Sequence, residues 1–217
     1  MRLLSTIKGT SIKQHVQDEE GDIKIFYTAD LSVDVDGSRH SYRLDNDPKL
    51  ALDDIHSSAG WPHSSWQNVL VRDPKEPDMP YVDEEGYCVS MTSYQREGFN
   101  SIDRRRYVDA AVVSYAVIPG IVRRLCEGVL LGCAARITDT LTKASIDCVM
   151  ADFSGYSIGE ASLAAAHYFS PHLSARNGDE RPIYLYEFWP DKAAVISGET
   201  FRLIPANASR HSRHGVA

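Results

Sequence analysis

The sequence has no C-x-x-C pair among its cysteines, Cys88, Cys126, Cys133 and Cys148. A zinc knuckle or a thioredoxin-like redox site needs paired thiolates at that spacing, so neither chemistry has support. Cys133 and Cys148 lie in apolar runs, where a buried free thiol is expected; one or two disulfides are the alternative. Long apolar runs are also missing. The longest, "DAAVVSYAVIPGIV" (Asp109–Val122), falls short of a membrane span and contains Pro119. The apolar part of "MRLLSTIKGTSIKQ" is too short for a secretory signal, which leaves a cytoplasmic chain, one exported by another route or one given without its leader. There is no H-E-x-x-H, G-x-S-x-G, phosphate loop or dinucleotide fingerprint. Ser162 and His167, five apart, would not share a helix face. The eight histidines are scattered. Positive charge is scarce, with 23 Lys and Arg against 30 Asp and Glu, a net charge of −7. That balance argues against a nucleic-acid partner and fits a neutral or cationic ligand better. No cofactor, no metal, no membrane and no nucleic acid are therefore expected.

Strand signals, by contrast, are abundant. "DIKIFYTADLSVDVDG" alternates polar and apolar residues up to a D-G turn, and "SYRLDND" reads as a return strand. Residues 44–80 are rich in Asp, Pro, Ser and Trp, and predict long loops with a short helix near Lys49–His56. "GYCVSMTSY", "AAVVSYAVIP", "GVLLGCAARITD", "KASIDCVMADF" and "RPIYLYEFWP" are further strands. "EASLAAAHYFS" reads as a helix that ends before Pro171. The division expected is a polar, loosely held lead-in over 1–20, a single β-barrel domain over 21–206 and a disordered tail over 207–217. The fold class expected is mainly β (β-rich α+β), with a few short helices and long loops.

"DFSGYSIGEASLAAAHYF" (Asp152–Phe169) poses the functional question, because Asp152 and Glu160 stand eight residues apart in it. Hydrolysis of a glycosidic bond needs one carboxylic acid and one carboxylate acting as base or nucleophile. Asp152 follows "IDCVMA" and precedes Phe153, an apolar setting that would keep its proton on. Glu160, in the first turn of the expected helix, would be ionised by the helix dipole. This reading makes Asp152 the acid and Glu160 the base. Gly155 and Gly159 would let a sugar approach the backbone. The competing reading is structural: "SIGE" matches a capping box in which Glu160 only bonds back to the Ser157 amide. Against it, Gly159 at the second helical position would cost helix stability that a plain cap has no need to lose.

Strand, Asp152, Gly-bearing loop, helix, strand: that order resembles the double-psi β-barrel proteins. More specifically, "ADLSVDVDG", "GYCVSMTSY", "RRRYVDAAVVSYAVIPG" and "VMADFSGYSIGEASLAAAHYF" resemble, in the same order, family 75 of the glycoside hydrolases, whose known members are chitosanases. The likeness implies a double-psi-like six-stranded barrel, an inverting mechanism, and essential carboxylates at Asp152 and Glu160. The chain departs from the family at Val35, where fungal members carry cysteine, and at Ala151, where they carry glycine.

The resemblance places Asp36 beside the groove, where it could bind an amino-sugar ammonium. Asp34, Tyr42, Thr92, Ser93 and Tyr94 join it as expected substrate-binding residues, with Trp61 and Trp66 as stacking platforms. Each has a plain alternative: a solvated turn for "DVDG", a half-buried strand for "TSY", and loop packing for the tryptophans. The function expected is cleavage of β-1,4-linked amino-sugar polysaccharide, chitosan first. With that substrate, secretion or export by a non-classical route is expected. One alternative is a peptidoglycan-cleaving enzyme or antibacterial toxin, for which an inhibitor or immunity protein would be the partner. The other is a non-catalytic barrel that binds polysaccharide or protein.

Overall fold

The alternating stretch folds as one continuous strand. The computed structural model describes residues 1–17, 22–125, 129–155 and 157–205. In place of the loosely held lead-in expected over 1–20, Arg2–Ile7 (β1) and Thr10–Gln17 (β2) form an antiparallel hairpin. Strand β2 extends the sheet alongside β3, Asp22–Asp34. Along β3, Ile25, Tyr27, Ala29, Leu31 and Val33 are buried, the period of two that one covered face requires. Later strands are β4 (Tyr115–Pro119), β5 (Val129–Leu131), β6 (Cys133–Asp139), β7 (Ser145–Ser154), β8 (Glu160–Ser162), β9 (Asp179–Ile196), β10 (Glu199–Phe201) and β11 (Ile204–Pro205). The helices are α1 (Gly120–Leu125) and α2 (Leu163–Phe169).

Strands β3, β8, β4, β7, β6 and β9 pair in that order, and β9 pairs back to β3. The result is a closed six-stranded barrel in a β-rich chain with few, short helices, the fold class expected. Pairs β3–β8 and β4–β7 are parallel and the other four antiparallel. Closure removes the edges that an open sheet would expose. Tyr27 fills the interior, stacked on Tyr186 at 5.0 Å and tilted against Phe188 at 5.9 Å.

Several expected elements differ. Helix α2 starts three residues later than expected: Ser162 is its N-cap, accepting from the Ala165 amide at 3.2 Å, while Glu160–Ser162 is strand β8. The strand expected over 110–119 narrows to β4, because Asp109 gathers the amides of Ala111, Val112 and Val113 into a turn. No helix forms at Lys49–His56. Asp47 and Asp54 there capture the amides of Lys49, His56 and Ser57 with their carboxylates, making isolated turns. "SYRLDND" contributes only a bridge from Tyr42 to Cys88. The long segment between β3 and β4 is held by such side-chain turns and by Arg104, which pairs with Asp83 at 2.8 Å and donates to the Ser38, Tyr87 and Cys88 carbonyls. Cys88, Cys133 and Cys148 are buried, and Cys88 and Cys148 are free thiols. Cys126 and the expected tail over 207–217 lie outside the described residues. No helix among the described residues is long and apolar enough to cross a membrane.

Candidate functional site

Asp152 owes its position to an irregularity in β7. Ala116 of β4 pairs with Met150 and Val117 with Asp152, so Ala151 is an extra residue in the ladder. Such bulges re-aim the side chain that follows. The Ala151 carbonyl accepts from the Tyr94 amide at 2.8 Å, which brings residues 92–94 against the bulge. Asp152 Oδ1 then accepts from the Ser93 amide (3.1 Å), the Ser93 hydroxyl and the Phe153 amide (2.7 Å).

Glu160 comes from the other side of β4. Val117 pairs with Glu160 on β8 and with Asp152 on β7, so the two carboxylates flank one strand. Strand β8 also lies parallel to β3, with Ser32 opposite Glu160 and Asp34 opposite Ser162. That register brings in a third carboxylate. Asp34 Oδ1 accepts from the Asp36 amide at 2.8 Å, an Asx turn that carries the chain on to a fourth, Asp36. Asp34, Asp36 and Asp152 each offer an oxygen within 4.8 Å of the others, close enough for the charge on one to raise the proton affinity of the next.

Asp34 and Asp152 are buried, while Asp36 and Glu160 are half-buried above them. No lysine or arginine is among the groups that dominate their ionisation. Burial therefore decides, and all four keep their protons to a higher pH than an exposed carboxyl does. Asp152 is pushed up to about 7 by burial and the Asp34 charge, against the pull of its Ser93 and Phe153 donors. Asp34 is pushed up to about 6 by burial, with the Asp36 amide and the Tyr115 hydroxyl pulling down. Asp36 is held well above the carboxylate range by burial and then by Asp34 and Asp152. Glu160 is held well above it by burial and then by Asp34, Asp152 and Asp53. Asp36 Oδ1 is buried without a hydrogen-bond partner.

The other expected residues divide. Tyr42 is buried beside Asp36, whose proton affinity it lowers. Ser93 reaches Asp152, but Thr92 and Tyr94 do not face the cluster. The Thr92 hydroxyl is buried, donating to the Tyr94 carbonyl at 2.8 Å and accepting from the Val108 amide at 3.0 Å. The Tyr94 ring packs edge-on against Phe201 at 5.4 Å. Trp66 is 2% exposed and packs edge-on against Trp61 at 5.7 Å. It is a core residue, which corrects its reading as a sugar platform; Trp61 is half-buried against the same core. The capping-box reading of Glu160 also falls, because Glu160 lies in a strand and Ser162 is the cap.

Two participants were missed. The Tyr115 hydroxyl donates to the Asp36 carbonyl at 3.0 Å beside Asp34, and Asp53 adds negative charge from the loops. A polar aromatic opening the apolar stretch "YAVIP" was the available signal for Tyr115. Two surface depressions, of about 350 and 300 Å³, lie along β1–β3 and are lined by none of the four carboxylates.

No protein-family model matches the chain, and a search of curated proteins finds no match.

Proposed function

We propose that the chain is a glycoside hydrolase acting on β-1,4-linked amino-sugar polysaccharide, chitosan first, with Glu160 as acid and Asp152 as base. The observation that carries this reading is the pairing of both residues with Val117 across the barrel wall. It brings two carboxylates from separate strands to one site, in surroundings that favour their protonated forms.

The roles reverse those expected from the sequence. The helix dipole cannot ionise Glu160, which lies in β8. Glu160 is held protonated by burial, and among the described residues no donor is aimed at its carboxyl to favour the ionised form. An acid that keeps its proton near neutral pH is what leaving-group protonation requires. Asp152 receives three hydrogen bonds on Oδ1, which favour its carboxylate. Oδ2 is left to take a proton from water.

Flanking one strand, the two backbones stand about two strand spacings apart, roughly 9–10 Å. Inversion, in which the carboxyls lie about 6.5–9.5 Å apart with water between, is the course the resemblance to family 75 implies, against retention at about 5–5.5 Å. A cluster of carboxyls with which no lysine or arginine is paired among the described residues also favours a substrate that brings ammonium groups.

The test is product analysis on chitosan, chitin and peptidoglycan in parallel, with the anomer read by proton NMR. Chitosan oligomers whose first-formed anomer is inverted are expected. Product from peptidoglycan alone would overturn the substrate. Binding without product on all three would overturn the reaction and leave a binding module.

A further inference from the structure

We propose that Ser93 is a positioning residue that fixes which oxygen of Asp152 is free to react. Its role in a reaction rests on Asp152 being the base; its effect on the Asp152 carboxyl does not.

The argument is geometric. Every hydrogen bond to the Asp152 carboxyl falls on Oδ1: the Ser93 amide at 3.1 Å, the Ser93 hydroxyl and the Phe153 amide at 2.7 Å. Two of these three come from Ser93. Among the described residues, no donor reaches Oδ2. The carboxyl is therefore held at one oxygen and open at the other, as a base that must collect a proton from water requires.

Ser93 is itself held from both sides. The Thr92 hydroxyl joins the Tyr94 carbonyl to the Val108 amide, bracing the backbone around Ser93. The Tyr94 amide binds the Ala151 carbonyl at the bulge that aims Asp152. The bulge and the bracket thus fix each other's register. Half-exposed Ser93 has little packing to contribute, so its hydroxyl is placed for Asp152. This replaces its expected role as a sugar contact.

A donor aimed at a carboxylate favours the charged form, so removing it should make Asp152 harder to ionise. The titratable groups around Asp152 are Asp34 and Asp36 on the β3 side, Glu160 on β8 and Tyr115 on β4. All of them remain in the variant. The variant is Ser93→Ala, which removes the hydroxyl and keeps the amide. Ser93→Thr keeps the hydroxyl.

Two readouts are taken. The first is the carboxyl-carbon NMR titration of Asp152, assigned by its loss in Asp152→Asn. In Ser93→Ala its midpoint should lie about one pH unit higher, the typical worth of one charge-assisted hydrogen bond. Ser93→Thr should return it to within a few tenths. The second readout is the pH profile of kcat on chitosan. In Ser93→Ala its acidic limb should move up in pH with the NMR midpoint, kcat should fall about tenfold at a pH below that limb, and KM should be unchanged.

An NMR midpoint unmoved in Ser93→Ala would overturn the inference. So would a fall in kcat with the pH limb in place, which is what a merely structural role gives. If the wild type cleaves no glycan but the midpoint still moves, the hydrolase reading fails and the hold of Ser93 on Asp152 stands.

Discussion

Replacing Gly159 with alanine should unfold the chain far more readily, because Gly159 joins the site to the barrel. Its φ is +83°, a conformation that disfavours side chains. A methyl there would meet Asp30 Oδ1 at 2.3 Å, the Asp30 carbonyl at 2.5 Å and Ala29 Cβ at 2.9 Å. The Asp30 side chain could swing aside, but its carbonyl belongs to β3 and cannot. The Gly159 carbonyl also accepts from the Ser32 amide at 2.7 Å, so moving the glycine away breaks the start of the β3–β8 pairing. The left-handed conformation costs an ordinary residue about 1–2 kcal/mol. Forcing an extra methyl into packed surroundings costs about 1–3 kcal/mol. Alanine regains about 0.4–1 kcal/mol by restricting the unfolded chain. The net loss is about 3 kcal/mol, or a fall in Tm of roughly 6–12 °C for a chain this size. Gly155 is the control, being exposed with nothing within 4 Å of an added methyl. Gly155→Ala should stay within about 0.5 kcal/mol of wild type. Urea unfolding followed by circular dichroism measures both. A Gly159→Ala variant as stable as Gly155→Ala would refute the claim that Gly159 is held against β3.

Asp152→Asn and Glu160→Gln should each lower kcat on chitosan by about 10²-fold or more, the usual worth of an acid or base. Neither should lower Tm, since each removes a carboxyl from a cluster with which no lysine or arginine is paired among the described residues; turnover near wild type in either would end its catalytic assignment. The cluster should also make folding stability fall as pH rises. Asp34 and Asp152 have folded values raised from 3.8 to about 6 and about 7, so the folded chain binds more protons than the unfolded one between those limits. Their contribution is fully present below about pH 4 and lost by about pH 7. Thermal unfolding should therefore show a lower Tm at pH 7.5 than at pH 5, and a flat or rising profile across that window would count against it. Chitosan binding should weaken as salt rises, because exposed charges are screened beyond about 8 Å at physiological ionic strength. A bound ammonium would draw Asp36 into its carboxylate form, so Asp36→Asn should lose part of that dependence, and an unchanged salt response would remove Asp36 from the subsite.

The barrel was legible in the sequence wherever a strand was long enough to show its period. The alternation of "DIKIFYTADLSVD" gave β3, and the apolar runs gave β6, β7 and the middle of β9. The hairpin β1–β2 was missed because both strands are rich in polar residues and lie outside the closed barrel. The segment between β3 and β4 was unreadable for another reason. Its order comes from carboxylates binding nearby amides and from Arg104 collecting distant carbonyls, and neither leaves a period. Trp66 failed as a sugar platform because tryptophan in a loop has the same letter whether it faces water or, as here, the core.

Glu160 shows how a local misreading changes the chemistry. "SIGEASLAAAH" satisfies the rules for a capped helix, and small helix-forming residues fill its later part. Yet β8 is three residues long, too short for a period of two to register. What makes it a strand is its place between β3 and β4, which supply partners on both sides. Those partners are far away in sequence, so no window around Glu160 contains the information. Once Glu160 is in the strand, the dipole that would have ionised it is gone. Burial in the barrel wall, and then the neighbouring Asp34 and Asp152 in place of helical amides, raise its proton affinity. The two carboxylates were legible from their spacing, but the proposed assignment of acid and base depends on a non-local pairing and so reverses the one expected.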